Sequence, residues 1–377
     1  VALLLKFGAD VDARDSDDMT PLLCALESFG SGGVIQLLLE HDASVRVRNK
    51  GGRTPLHFAS ASHFVNADVV ALLLKLGADV DARDSADMTP LLCALDSFPS
   101  DEVVRLLLEH GASVHVRNKD GRTPLHFASA SDQIPPDVVA SLLKLGADVD
   151  ALDNDNMTPL LCVFESFGSG EVAQLLMEHG ASVHVRNKKS QTPLHLASGW
   201  CHSDVLASLL KLGADVDSRD SDDMTPLLHA LVHWNHSPAV KLLLEHGASA
   251  HVRNKSGQMP LHLASQSRRS DVVTLLLNSG ADVDAQDSNY MTPLHFAMSS
   301  HSPYRFIECD TEGNIRVMRA ESEVEMDEEA LRVIELLLEH GANVHLQNDR
   351  GKTPLQTASV KMKHELEQSL SRYSQND

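Results

Sequence analysis

Short apolar runs recur along the chain, each too brief to be a domain core by itself. Val69-Val-Ala-Leu-Leu-Leu-Lys-Leu76 has the density of a packed helix and is followed at once by Gly77-Ala-Asp-Val80. Twelve residues after that glycine stands Thr89-Pro90-Leu91, which opens a second apolar run. Thr is a helix N-cap, and Pro suits the first helical turn, where its missing N–H has no partner anyway. A Gly closing the preceding helix permits a left-handed cap. The pattern therefore predicts helix, left-handed stop, polar turn, then a capped helix.

The same unit repeats. Thr-Pro-Leu occurs at Thr20, Thr54, Thr89, Thr123, Thr158, Thr192, Thr225, Thr292 and Thr353, with Met259-Pro-Leu261 as a variant. These ten sites define copies one to ten. The step from the helix-closing residue to Thr is twelve throughout, from Gly8 to Thr20 and from Gly341 to Thr353, with Asp42 replacing Gly once. All length variation lies between the two helices of a copy, so the segment before Thr is geometrically fixed. Two residues before Thr stand Gly52, Gly121, Gly257 and Gly351, or Asp18, Asp87, Asn156 and Asp223. These are residues that tolerate a left-handed backbone. Ser190 and Tyr290 depart from the rule, which predicts strained or reshaped turns there.

Thr54-Pro-Leu-His-Phe-Ala59 and Thr123-Pro-Leu-His-Phe-Ala128 resemble the signature of the ankyrin family, and the resemblance covers the whole chain apart from the segment 302–330. It implies an all-α solenoid of stacked helix-turn-helix units with β-hairpin fingers, about ten repeats plus a partial N-terminal one over residues 1–13. One repeat cannot bury its own apolar face, so stacking makes a continuous core. The expected organisation is a single domain, 1–377, ending in a capping repeat over 353–377, whose run Lys363 to Gln368 is polar. Val1-Ala-Leu-Leu-Leu5 reads as the middle of a repeat, without initiator Met, which suggests a fragment of a longer protein.

Copies alternate in kind. Odd copies read Met-Thr-Pro-Leu-Leu-Cys, as at Met19, Met88 and Met157, and even copies read Arg-Thr-Pro-Leu-His-Phe, as at Arg53 and Arg122. Thr20, Thr89 and Thr158 are spaced by the length of a repeat pair, so the unit of duplication is the pair. The eight residues before each Thr-Pro form most of a finger. Odd fingers (Asp12–Met19, Asp81–Met88, Asp150–Met157, Asp217–Met224, Asp284–Met291) total -13, and even fingers (Arg46–Arg53, His115–Arg122, His184–Gln191, His251–Gln258, His345–Lys352) total +12. One reading is mutual attraction of adjacent fingers, which exposed pairs about one Debye length apart make weak. The other is a docking comb for a partner with matching stripes, where charge sets register and association rate.

On the second reading the contact residues are Arg48, Lys50, Arg53, Arg83, Met88, Arg117, Lys119, Arg122, Met157, Arg186, Lys188, Gln191 and Met224. In the ankyrin family the position before Thr faces the concave groove. Its methionines would be adaptable contacts, or else would cover the apolar foot of a neighbouring finger. Phe29, Phe98, Phe167 and Trp234 fall nine residues after Thr, either as an exposed anchor row or packed under the inter-helix loop.

Composition narrows the function. The chain has 377 residues and a formal net charge of -21. That balance argues against a nucleic-acid binder, which needs a basic face to displace counterions, and against anionic membranes. No apolar run reaches the length of a membrane helix. Cys24, Cys93 and Cys162 recur at one position of successive repeat pairs, roughly 20 Å apart by helix stacking and too far to bridge. Reduced core thiols fit a cytoplasmic or nuclear compartment. Of the 21 histidines, His57, His126, His195, His262 and His295 belong to the signature, where the family uses the ring to hydrogen-bond within the stack, and His115, His184, His251 and His345 lie along the finger row. Finger residues about 9–10 Å apart cannot converge on zinc. No phosphate loop, paired-Cys motif or nucleophile elbow is present. The expectation is a monomeric binding scaffold for a protein partner, without cofactor or small-molecule substrate and not an enzyme; the alternative is the recognition arm of a larger multidomain protein. If the finger histidines gain from the flanking Asp81, Asp150, Asp217 and Asp284, acid should stabilise the fold; buried histidines would give the opposite sign.

The ninth copy is interrupted between its helices by segment 302–330. Tyr304 to Cys309 and Ile315 to Arg319 alternate in polarity around Asp310-Thr-Glu-Gly-Asn314, which suggests a small β-hairpin followed by an acidic lead into the next helix. The segment is either a tolerated surface loop or a second contact site.

Overall fold

The computed structural model describes residues 1–27, 32–62, 66–96, 100–166, 168–199, 203–233, 237–299, 306–309, 315–318 and 323–358. Two compact units make up the chain, Val1–Ser182 and Val183–Asp377. In the first, inner helices Pro21–Glu27, Pro55–Ala61, Pro90–Asp96, Pro124–Ser129 and Pro159–Glu165 stack in order, each backed by an outer helix such as Ala67–Lys75 or Asp101–Glu109. In the second, Pro193–Ser198, Pro226–His233, Pro260–Gln266 and Pro293–Met298 do the same, and Pro354–Thr357 stacks on the last of them. The core of each copy is leucine, with Leu56, Leu73, Leu91, Leu107 and Leu125 fully buried in the first unit. Each such side chain contributes about 2 kcal/mol by its removal from water.

Inner helices start where the sequence predicts. Thr54 and Thr123 are extended N-caps with Pro at the first helical position. Outer helices end in the expected left-handed stop. Gly111 has φ 84°, its N–H bonds Leu108 O at 3.0 Å, and Ala112 N bonds Leu107 O at 2.9 Å, the paired bonds of a Schellman cap. Asp42 keeps the same conformation at φ 63°. The position two before Thr is also left-handed in every copy. Ser190 (φ 59°) and Tyr290 (φ 58°) follow it, so these turns are strained and not reshaped.

The fingers differ from the expected β-hairpins. Each is a turn closed by two backbone bonds, such as Asn118 N to Arg122 O at 3.1 Å and Gly121 N to Asn118 O at 2.9 Å, with no assigned strand among the described finger residues. One further backbone bond joins it to the finger before: Lys50 N to Asp17 O, Ser85 N to Gly51 O, Lys119 N to Ala86 O and Asn154 N to Asp120 O in the first unit; Ser221 N to Lys189 O and Asp349 N to Asn289 O in the second. Strands do occur between the helices of copy nine. Phe306–Cys309 pairs antiparallel with Ile315–Met318, in register Phe306↔Met318 and Cys309↔Ile315. The outer helix that follows, Glu323–Glu339, runs 17 residues against nine in the other outer helices. The aromatic row (Phe29, Phe98, Phe167, Trp234), Cys201 and the polar run Lys363 to Gln368 lie outside the described residues.

Candidate interaction surface

Every finger turns on one Asx residue, five positions before Thr. In odd fingers it is Asp15, Asp84, Asp153, Asp220 or Asp287; in even fingers it is Asn49, Asn118, Asn187, Asn254 or Asn348. Asp153 Oδ1 accepts from Asp155 N at 2.8 Å and Met157 N at 2.9 Å, and Asn118 Oδ1 accepts from Asp120 N and Arg122 N. Sequence reading missed these residues. Their fixed distance from Thr and the strict Asp/Asn alternation were the available signal. At Asp84 and Asp153 the second oxygen meets a cation; the amides of Asn49, Asn118 and Asn348 reach the preceding Met, as Asn118 Nδ2 does to Met88 Sδ at 3.8 Å.

That second oxygen decides what the basic residues before Thr do. Arg53 Nε lies 3.3 Å from Asp84 Oδ2, and Arg122 Nε 3.3 Å from Asp153 Oδ2; the carboxylates are 6 % and 2 % exposed. Arg53 also covers the Phe58 ring at 5.7 Å and donates to Cys93 Sγ. These two arginines are therefore occupied within the stack. Burial pushes the Cys93 thiol up to about 11 and Cys162 up to about 12, so both stay protonated. Cys24 is exposed, unlike its two counterparts.

Copy seven solves the same problem differently. Gln191 replaces the arginine and bonds Asn187, while His229 stands where copies three and five have cysteine. His229 Nε2 lies 2.9 Å from Asp220 Oδ2, both side chains almost fully buried. Burial alone would raise the Asp220 carboxyl. The bond from His229 and those from Met224 N and Asp222 N outweigh it, and hold the group below its ordinary value.

A second set of arginines acts as staples. Arg48 Nη1 donates to Gly52 O in its own finger and to Arg83 O in the next, at 2.9 and 2.6 Å. Arg117 does so to Gly121 O and Leu152 O, Arg186 to Ser190 O and Arg219 O, and Arg253 to Gly257 O and Gln286 O. The first Asp of each odd finger ties down the following copy in turn: Asp81 Oδ1 accepts Ser113 N and Asp150 Oδ1 accepts Ser182 N.

The methionines are not open contacts. Met157 is 3 % exposed and Met88 is partly covered, and their backbone carbonyls accept Nε2–H from His126 and His57 at 3.0 Å. Met224 does the same for His195. Of the two readings for this row, the structure favours covering a neighbour's foot. What remains exposed at the fingertips is Lys50, Lys119, Lys188 and Arg83. Lys50 sits 3.8 Å from Asp17, and Arg83 sits 4.0 Å from Asp87.

The signature imidazoles are internal. His57 Nδ1 accepts the Thr54 backbone N–H at 3.1 Å, and its Nε2 meets the Met88 carbonyl. A carbonyl only accepts, so Nε2 carries the proton and the ring is neutral. His126, His195, His262 and His295 repeat this, and burial lowers all five; His195, also facing His229, falls to about 4. Among the described residues, no cluster of three His, Cys, Asp or Glu could hold a metal ion, and no helix is long and apolar enough to cross a membrane.

Stacked helix-turn-helix copies with stapled fingers define a repeat protein of the interaction class. The family model for ankyrin repeats matches residues 1–84, 66–153, 135–220 and 228–308, and the chain belongs to that family. The B-cell lymphoma 3 protein homolog of Mus musculus is 31% identical over 221 residues, 57% of this chain and 49% of that protein. The ankyrin repeat and KH domain-containing protein mask-1 of Caenorhabditis elegans is 32% identical over 249 residues, 62% of this chain but 9% of its own length. The chain thus spans half or less of these relatives. The crystal structure of the Bcl-3 ankyrin repeat domain, titled a unique member of the IkappaB protein family, has 29% identity and a TM-score of 0.49; it covers 66% of this chain and 99% of that one. Ankyrin repeats generally mediate protein–protein interaction.

Proposed function

We propose that this chain binds a protein partner along its finger row, and that its work is recognition, not catalysis, in a reducing cytoplasmic or nuclear compartment. The observation that carries this reading is the pinning of the charge stripes. Each staple and inter-finger bond fixes a charged finger in place, so little ordering cost remains when a partner docks. Lys119 and Lys188 are the exposed cations of this set best suited to a test, because Arg117 and Arg122 hold the fold and their reversal would confound binding with stability. K119E together with K188E should lower the affinity for a partner recovered by capture about tenfold at low salt, chiefly through association rate. Unchanged affinity and unchanged salt dependence would remove the finger row from the interface.

A second reading is favoured by the relatives, in which ankyrin repeats form part of a longer chain. Here the solenoid is the recognition arm of a multidomain protein. Sequencing the full reading frame tests it: a further domain supports the arm, and repeats alone reject it.

A further inference from the structure

Finger two is unlike the other even fingers. It has arginine at both its first and third positions, Arg46 and Arg48. The corresponding pairs are His115 and Arg117, His184 and Arg186, His251 and Arg253, and His345 and Gln347. Beside it opens a cleft of about 560 Å³, bounded by Val45, Arg46, Arg48 and Thr54 on one side and by residues 77–80 on the other.

Both guanidinium groups are held in place. Arg46 Nε donates to Gly77 O at 3.0 Å, and Arg48 Nη1 is the staple to Gly52 O and Arg83 O. Neither forms an ion pair with a carboxylate among the described residues, although Arg14, Arg53, Arg83 and Arg122 all do. Asp79 is the one acid lining the cleft, and its Oδ1 accepts Asp81 N in its own turn. The Nη groups of Arg46 and the Nη2 of Arg48 make no hydrogen bond among the described residues. Two anchored cations share one cleft with unused donors, an arrangement that an oxyanion completes through charge-assisted bonds.

We propose that this cleft is an oxyanion subsite that receives an acidic side chain of a protein partner, either a carboxylate or a phosphorylated hydroxyl. The proposal deepens the protein-partner reading and rests on it. The subsite lies at the finger row, and the bonds of Arg46 to Gly77 and of Arg48 to Gly52 and Arg83 make it ready-formed.

The test uses the full chain with labelled arginine side chains, at pH 8 and low salt. It is titrated separately with inorganic phosphate, a Gly-Ser hexapeptide carrying one glutamate, and the same peptide carrying one phosphoserine. Saturable shifts of the Arg46 and Arg48 Nε–Hε signals, at least threefold larger than those of Arg117 and Arg253, are expected with one or both peptides. The peptide that binds identifies the source of the oxyanion. R46Q should weaken that binding about tenfold while the chain stays folded, the melting temperature reporting separately the loss of the Arg46 bond to Gly77. Arg48 is left intact because its loss would loosen the fingers. Shifts shared equally by Arg117 and Arg253, or full binding by R46Q, overturn the subsite. The Lys119 and Lys188 reversals report on partner binding independently, so failure of one reading is visible without the other.

Discussion

The junction of copies four and five and the junction of copies six and seven face one electrostatic problem with different residues. In the first, Asp153 is buried and its cation, Arg122, reaches in from the preceding finger. In the second, Asp220 is equally buried, but its partner, His229, rises from the inner helix of the same copy. The Arg122 bond therefore couples neighbouring repeats, whereas the His229 bond holds one repeat together. In a solenoid, stability is a sum of repeat and interface terms, so moving a bond between those categories redistributes cooperativity even at equal strength.

The largest effect should come from breaking the second pair. H229L leaves Asp220 Oδ2 buried without its hydrogen-bond partner, and a buried carboxylate stripped of its partner costs about 3 kcal/mol. Chemical denaturation of the full chain should show the second unit unfolding earlier. H229C alone should be similarly damaging, while H229C with Q191R rebuilds the arrangement of copy five and should recover most of the loss. If the double variant is no better than H229C, the two junctions are not interchangeable solutions.

Acid comes next. The five signature histidines are neutral in the folded state and protonate more easily once unfolded. A lowered folded pKa gives stability that is complete above the unfolded value, near 6.5, and is withdrawn as pH falls below it. For His195, fully buried and lowered to about 4, the withdrawal by pH 5 is on the order of 2 kcal/mol. Asp220, held below its ordinary value, adds in the same direction at lower pH. The signature histidines thus act in the opposite sense to the gain expected of the finger histidines, and the first Asp of each odd finger is engaged by the backbone of the next copy. A melting temperature that rises from pH 7.5 to pH 5 would restore that expectation.

R122Q at the first junction should cost less, about 1–2 kcal/mol, because Arg122 is 37 % exposed and water can reach the vacated side. Adding C162H, the copy-seven solution, should recover part of it. An R122Q variant as stable as the parent would show that Arg122 is there for a partner and not for the stack.

The repeat and both helix boundaries were legible because Thr, Pro and Gly act locally: each fixes backbone geometry wherever it stands. The charge stripes were legible as well, but their use was not. Whether Arg53 or Arg122 faces solvent or the next copy depends on Asp84 and Asp153, a whole repeat away in sequence. The burial of Met157 was not legible for the same reason, since its carbonyl is met by His126 of the preceding copy. His229 could have been read as the exchange for the cysteine of copies three and five, once Gln191 was seen to lack the arginine's charge.

The turns of the two junctions give the smallest and cleanest contrast. Finger four turns at Gly121 with φ 78°, and finger six at Ser190 with φ 59°. A Cβ on Gly121 would sit 2.8 Å from Asn154 Oδ1 and 3.1 Å from the Asn154 backbone nitrogen, so G121S meets both a close neighbour and left-handed strain. Ser190 bears only the strain, of about 1 kcal/mol, and its hydroxyl makes no hydrogen bond among the described residues. S190G should therefore raise stability by roughly 0.5 kcal/mol, the relief being partly offset by the greater freedom of glycine in the unfolded chain. G121S should lower it by more than that. The Arg186 staple donates to the Ser190 backbone carbonyl and survives the change, so binding along the fingers should be unaffected. Paired denaturation curves measure both variants, and a destabilised S190G would mean that the serine side chain contributes something beyond its backbone.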